Sequence, residues 1–201
     1  MYIFFSGTPI KIMCVSLRVS LIAGTIGEVC AYILLKRGDT ELAALLATFS
    51  LMQFYEAISY VQNKTPRFPI GALLAAQGVA FFTTLLYQNP TDPTVRISNG
   101  LCVLILVMIL LVKEPFSTHC GYGCRWEMGS DTWHLIRVMY AILYSYFFLN
   151  PQYHVFAYVT LSALVVTLTL FKDGLSPSWW CLTSALASPL YIALTRLPDS
   201  G

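Results

Sequence analysis

The chain is a succession of apolar runs separated by short polar punctuation. A membrane crossing takes about 20 mostly apolar residues to cover about 30 Å of hydrocarbon. Seven stretches meet that requirement: 13–35, 42–62, 68–88, 95–113, 133–149, 151–171 and 177–197. The breaks KRGDTE (36–41), QNKTPRF (62–68), QNPTDPT (88–94), NP (150–151) and KDGLSP (172–177) carry the Pro, Gly, Asn and charge that turns require. The fourth run contains LCVLILVMILLV (101–112), the purest hydrocarbon stretch, and is expected to face lipid. Only Asn150-Pro151 separates the fifth and sixth runs. Together they are too long for one crossing, so a tight helical hairpin is expected there. No repeat at a fixed period is visible, so inverted-repeat transporter symmetry gains no support.

This pattern predicts an all-α fold, a polytopic transmembrane helix bundle of about seven spans in a single unit, 13–197. Residues 1–12 are an N-terminal extension and 114–132 a Cys-containing loop. The first 12 residues hold one Lys, no small-residue cleavage site and no apolar core of signal-peptide length. The first span is therefore expected to stay as an anchor.

Composition sharpens the class. Hydrophobic residues make up 57% of the 201 and charged residues 11%, against about 25% charged in a soluble domain. That is too little charge to coat a water-facing surface, which excludes an ordinary soluble enzyme and a disordered tail. The net charge of +2 is too small for a phosphate-binding stripe, so the expected partner is the lipid bilayer and not nucleic acid. Lys11, Arg18, Lys64, Arg67, Lys113, Arg125 and Lys172 fall on one side of the spans, and Lys36, Arg37, Arg96 and Arg196 on the other. By the positive-inside rule the first side is cytoplasmic, together with the N-terminus and the cysteine loop.

Ionisable residues inside spans cost roughly 2.5–3.5 kcal/mol each and usually face the bundle interior. At about 1.5 Å per residue, Arg18, Glu56, His134 and Arg137 share one level near the cytoplasmic end. Gln53, Glu56 and Tyr60 lie on one face of the second span. In the first span Ser16, Ser20, Gly24 and Glu28 recur every four residues with Gly27 beside them, a small-residue stripe suited to close packing. A polar intramembrane cluster of Arg18, Gln53, Glu56, His134 and Arg137 is therefore expected, with Trp133 nearby. Glu28 is an isolated acid set deeper. Such a cluster either holds a small solute, proton or cation or is an ion pair that fixes helix register. Arg18 can also snorkel to headgroups.

Cys30, Cys102 and Cys181 lie within spans and read as small apolar fillers. Cys14 opens the first. His119, Cys120, Cys124 and His134 match a tetrahedral zinc site in ligand type and number, although the spacing is looser than in a zinc finger. A Cys120–Cys124 disulfide is the rival and calls for an oxidising compartment, opposite to the charge bias. Free thiols in a folded loop are the third reading. Asn63-Lys64-Thr65 is a glycosylation sequon on the side read as cytoplasmic, so its modification would reverse the orientation. Trp126, Trp133, Trp179 and Trp180 fall near span ends, as an aromatic belt does.

Met13-Cys14-Val15-Ser16, Ser20, Gly24 and Leu51-Met52-Gln53-Phe54-Tyr55-Glu56-Ala57 resemble a family of small multi-pass membrane proteins from bacteria, protists and large DNA viruses. Its members tend to begin with Met-Cys-x-Ser and carry Gln-x-x-Glu in the second helix. Cys120 to Trp126, closing on Gly-Cys-Arg-Trp ahead of Glu127, is similar to a cysteine-rich loop in the viral members. The likeness covers the first third and one central loop, and the 12 residues before Met13 depart from it. It implies about seven helices, singles out Gln53 and Glu56, and implies no activity.

Three function classes remain. The first is a module that binds or moves a small solute or ion around Glu56. The second is a structural or scaffolding membrane protein. The third is a membrane-embedded metal-dependent enzyme, which rests on the His/Cys set alone because Gly-x-Ser-x-Gly, His-Glu-x-x-His and paired-Asp motifs are all missing. No Lys lies mid-way along the last span, which excludes a retinal Schiff base.

Overall fold

In a computed structural model the chain is described over residues 3–5, 8–10, 17–62, 70–112, 117–120, 124–127, 129–170 and 187–195. Among these residues there are seven helical segments. They are α1 (Leu17–Arg37), α2 (Thr40–Gln62), α3 (Ile70–Gln88), α4 (Pro93–Leu111), α5 (Ser130–Leu149), α6 (His154–Leu170) and α7 (187–194). Four stretches are long and apolar enough to cross a membrane: Leu17–Arg37, Thr40–Ser59, Ile70–Gln88 and Pro93–Leu111. That is compatible with a multi-pass membrane protein, though the described residues give four such helices where the hydropathy pattern predicts seven. α5 dilutes its apolar run with His134, Arg137, Tyr140, Tyr144 and Tyr146, and α6 is 17 residues long. Residues 177–186 of the last predicted span lie outside the described residues, as do Cys14, Ser16, Asn63 and Cys181.

Each turn has a local cause. α1 ends at Gly38, whose φ of 89° suits a residue without Cβ. The Gly38 N–H donates to Leu35 O at 3.2 Å and the Asp39 N–H to Leu34 O at 3.0 Å, the paired bonds of a Schellman cap. α4 starts at Asp92, whose Oδ1 accepts from the Thr94 N–H at 2.8 Å and the Val95 N–H at 3.4 Å, with Pro93 in the first turn. α5 ends at Asn150, whose side-chain amide donates to Tyr146 O at 2.8 Å. A 3-10 turn over Pro151–Tyr153 then leads into α6. The Tyr144 hydroxyl donates to Thr160 Oγ1 at 3.0 Å, joining the two helices.

Helices adjacent in sequence pack side by side from α1 to α4, and α5 lies against α3 and α4. The core is aromatic at one end. Phe81 meets Phe82, Phe147 and Tyr153 edge-on, with ring centroids 5.1, 5.0 and 5.5 Å away, the arrangement ring quadrupoles favour. Two glycines mark close approaches. A Cβ on Gly24 would stand 3.0 Å from the Phe54 ring, and one on Gly78 would stand 2.5 Å from Met139 Sδ and 3.3 Å from Cys102 Sγ. α4 is the outermost of the four long helices. Only 22% of its span is buried, against 61% for α2, and Leu101, Leu104, Met108 and Leu111 are exposed.

Two short antiparallel hairpins accompany the helices. β1 (Ile3–Phe5) pairs with β2 (Thr8–Ile10), and β3 (Ser117–Cys120) with β4 (Cys124–Glu127). The first lies in the N-terminal extension and the second in the cysteine loop, where the hydropathy pattern predicts no element. Both have aromatic and β-branched residues flanking glycine, a strand-turn-strand signal too short for a span-length window. β4 touches α2.

Candidate functional site

The seam between α1 and α2 is built by small residues facing polar ones. Ser20, Ala23, Gly24 and Gly27 are buried on α1. Gln53, Glu56 and Ser59 are buried on α2, with Glu56 1% exposed. Spacings of three and four keep each set on one face, and the missing side chain at Gly24 lets Phe54 lie against the α1 backbone. The Ser20 hydroxyl donates to Glu56 Oε2 at 3.3 Å. A hydrogen bond to a charged group contributes about 1.5–3 kcal/mol, which offsets part of the cost of sequestering an acid. The Ser59 hydroxyl donates back to Tyr55 O at 2.9 Å.

The predicted cations do not join this seam. Arg18, His134 and Arg137 are exposed, and Arg137 lies over the Trp133 ring, 6.0 Å from its centroid. Height along a helix follows from residue count, but azimuth does not. Arg18 precedes Ser20 by two residues, about 200° around the helix, so one faces out where the other faces in. α5 packs on α3 and α4, which leaves His134 and Arg137 away from the α1–α2 seam. Among the described residues, the seam brings the predicted Gln53 and Glu56 together with Ser20. Glu28 is half-buried beside Gly27, on the flank of the small-residue face.

Of the four residues considered for zinc, three lie in the β3–β4 hairpin and His134 lies in α5. In β3–β4, Cys120 pairs with Cys124 and His119 with Arg125. Consecutive strand residues occupy opposite faces, so His119 takes the face opposite the one shared by Cys120 and Cys124. His134 stands on the exposed side of the first turns of α5. Among the described residues no group of three or more His, Cys, Asp or Glu is placed to hold a metal.

A second polar centre, absent from the sequence reading, sits at the opposite end of the bundle. Glu41, in the first turn of α2, is 7% exposed. The Tyr153 hydroxyl donates to its Oε1 at 2.8 Å. Its Oε2 accepts from Gln88 Nε2 at 3.1 Å and from the Thr40 hydroxyl at 3.4 Å. Gln88 Nε2 also bonds Thr40 Oγ1. One carboxylate thus ties the start of α2 to the end of α3 and to the α5–α6 turn, and it lies where the helix dipole favours negative charge. Arg37 Nη1 donates to Ile192 O at 3.1 Å, fixing α7 to the end of α1. Burial, followed by the nearby Glu41 charge, pushes the Asp39 carboxyl above its usual range, while Arg37 pulls the other way. Hydropathy assigns Glu41 to a turn. Its burial depends on Gln88 and Tyr153, 47 and 112 residues away, which no local pattern reveals.

Further polar pairs pin neighbouring helices. Tyr140 donates to the buried Gln77, and Thr83 donates to Asn99 at 3.0 Å. Comparison with protein-family models, with curated proteins and with solved structures finds no match for this chain.

Proposed function

We propose that this protein is a seven-span integral membrane protein that binds or moves a small solute or ion at a polar pocket around Glu56. The N-terminus and the 117–127 hairpin lie on the cytoplasmic side in this reading. Its spans are α1 to α6 and the 177–197 stretch, and its lateral partner is lipid. The Gln53/Glu56 pair also supports placing it with the small multi-pass family that carries Gln-x-x-Glu in the second helix. One observation carries the reading: a carboxylate 1% exposed, inside a helix of membrane-crossing length, faces a hydroxyl donor on its neighbour. Such an acid costs several kcal/mol to insert, and intramembrane carboxylates facing the bundle interior mark substrate, ion and proton pathways.

The test is reconstitution into liposomes holding a pH-sensitive dye, with a proton, Na+ or K+ gradient imposed. Glu56→Gln abolishes a flux that the parent protein shows, while its thermal unfolding stays close to the parent's. Absence of flux in the parent under all three gradients contradicts ion movement.

A second reading is favoured by the Gly24–Phe54 approach and the Ser20–Glu56 bond: a structural membrane protein in which Glu56 fixes the α1–α2 register. Under it, Glu56→Gln lowers folded yield and leaves fluxes unchanged.

A further inference from the structure

The β3–β4 hairpin places the two loop cysteines in a relation that the pocket reading does not use. Cys120 and Cys124 are the last cross-strand pair before the connection, and they are Cα partners in the antiparallel register. Directly opposed residues have Cα atoms about 4.5–5.5 Å apart, inside the roughly 4.4–6.8 Å window that a disulfide bridges. Residues directly opposed across an antiparallel pair also share a face of the ribbon. The hairpin is not remote from the membrane bundle, because β4 touches α2, the helix that carries Gln53 and Glu56.

We propose that Cys120 and Cys124 form a reversible cross-strand disulfide that makes this hairpin a redox-responsive clip beside α2. The oxidant is a low-molecular-weight disulfide of the glutathione class. One cysteine loses its proton, and its thiolate attacks a sulfur of the small disulfide. The small S–S bond breaks and one small thiolate leaves. The opposed cysteine, as thiolate, then attacks the Sγ of its partner within the mixed disulfide, so that the Cys120–Cys124 bond forms, the mixed disulfide bond breaks and the second small thiolate leaves. Two protein thiols are oxidised by two electrons in all. The small disulfide is reduced to two thiols, which take up the two protons. The second attack is intramolecular between neighbours held in register, so ring closure outruns capture of a second small thiol. A reducing cytosol keeps the pair as thiols, and a shift in the glutathione poise closes it.

The test uses the full chain in isolated membranes, with glutathione disulfide as the probe, N-ethylmaleimide to block remaining thiols and peptide mass spectrometry as the readout. The peptide carrying both cysteines is expected to lose two hydrogens, to resist alkylation and to regain both alkylation sites after dithiothreitol. Cys124→Ser is expected to accumulate a glutathione adduct at Cys120, and Cys120→Ser one at Cys124, since neither variant retains the resolving thiol. Full alkylation of both cysteines after oxidation overturns the proposal. So does a disulfide joining either one to Cys14 or to a second chain. Protection from alkylation that a zinc chelator removes, with no loss of hydrogen, overturns it in favour of metal binding. Because the readout is made on the two thiols, it stands or falls independently of any flux through Glu56.

Discussion

Two buried carboxylates have different surroundings. Glu41 accepts from Tyr153, Gln88 and Thr40, and removing one donor leaves charge without its match. Tyr153→Phe is expected to lower stability by about 1–3 kcal/mol, as does loss of a bond to a charged group. Tyr153→Phe and Glu41→Gln combined should fall short of the sum of the single effects, the signature of direct contact. Chemical or thermal unfolding of the four proteins of that cycle decides it, and simple additivity would remove the Tyr153–Glu41 bond. Arg137 is exposed over Trp133, so Arg137→Leu should change stability by no more than about 0.5 kcal/mol and should not rescue Glu56→Gln. Rescue in the double variant would restore the ion pair that the structure separates.

Asp39 supplies a pH prediction. Its carboxyl titrates above the usual value because it is part-buried near Glu41. A group whose folded-state pKa is raised favours the folded state below its unfolded pKa, and that contribution is lost as pH rises through the folded value. Asp39→Asn should therefore flatten the fall in stability as pH rises from the unfolded aspartate range through the raised value. An unchanged pH profile would contradict the assignment.

At the scale of elements, boundaries were legible where chemistry is local. Gly38, Asp92-Pro93 and Asn150-Pro151 each end or start a helix by their own backbone or side-chain bonding, so the breaks in the hydropathy pattern coincide with helix ends. Gly38→Ala should cost about 1–2 kcal/mol, the cost of a left-handed conformation for a residue bearing Cβ. Gly78→Val should be worse than Gly78→Ala, because even the first carbon meets the buried Met139 and Cys102. Equal folded yields for the two would contradict a close α3–α5 approach at Gly78. The hairpins were not legible in the same way. Three- and four-residue strands vanish in a window tuned to twenty residues, although Ile3-Phe4-Phe5 ahead of Ser6-Gly7, and Thr118 and Trp126 on either side of Gly121 to Gly123, carried the signal.

For the molecule as a whole, the same physics explains both what sequence reading reached and where it stopped. Apolar length gave the helices and the outward face of α4, since transfer to lipid depends on one segment at a time. Small-residue spacing gave the α1–α2 seam, with Ser20, Gln53 and Glu56 inside it. Depth arithmetic could not assign Arg18, His134 and Arg137, because which side of a helix faces the bundle depends on every neighbour at once. Glu41 was missed for the same reason. Its partners come from α3 and the α5–α6 turn and meet it only after the chain has folded.

The central claim is that buried acids turn inward while apolar faces meet lipid. The most direct measurement is labelling of the membrane-embedded protein with a lipid-soluble carbodiimide, followed by peptide mass spectrometry. Modification is expected at the half-exposed Glu28, with Glu41 and Glu56 protected until the protein is unfolded. Labelling of Glu56 in the folded protein as readily as Glu28 would place that carboxylate on the bilayer face and contradict the α1–α2 site.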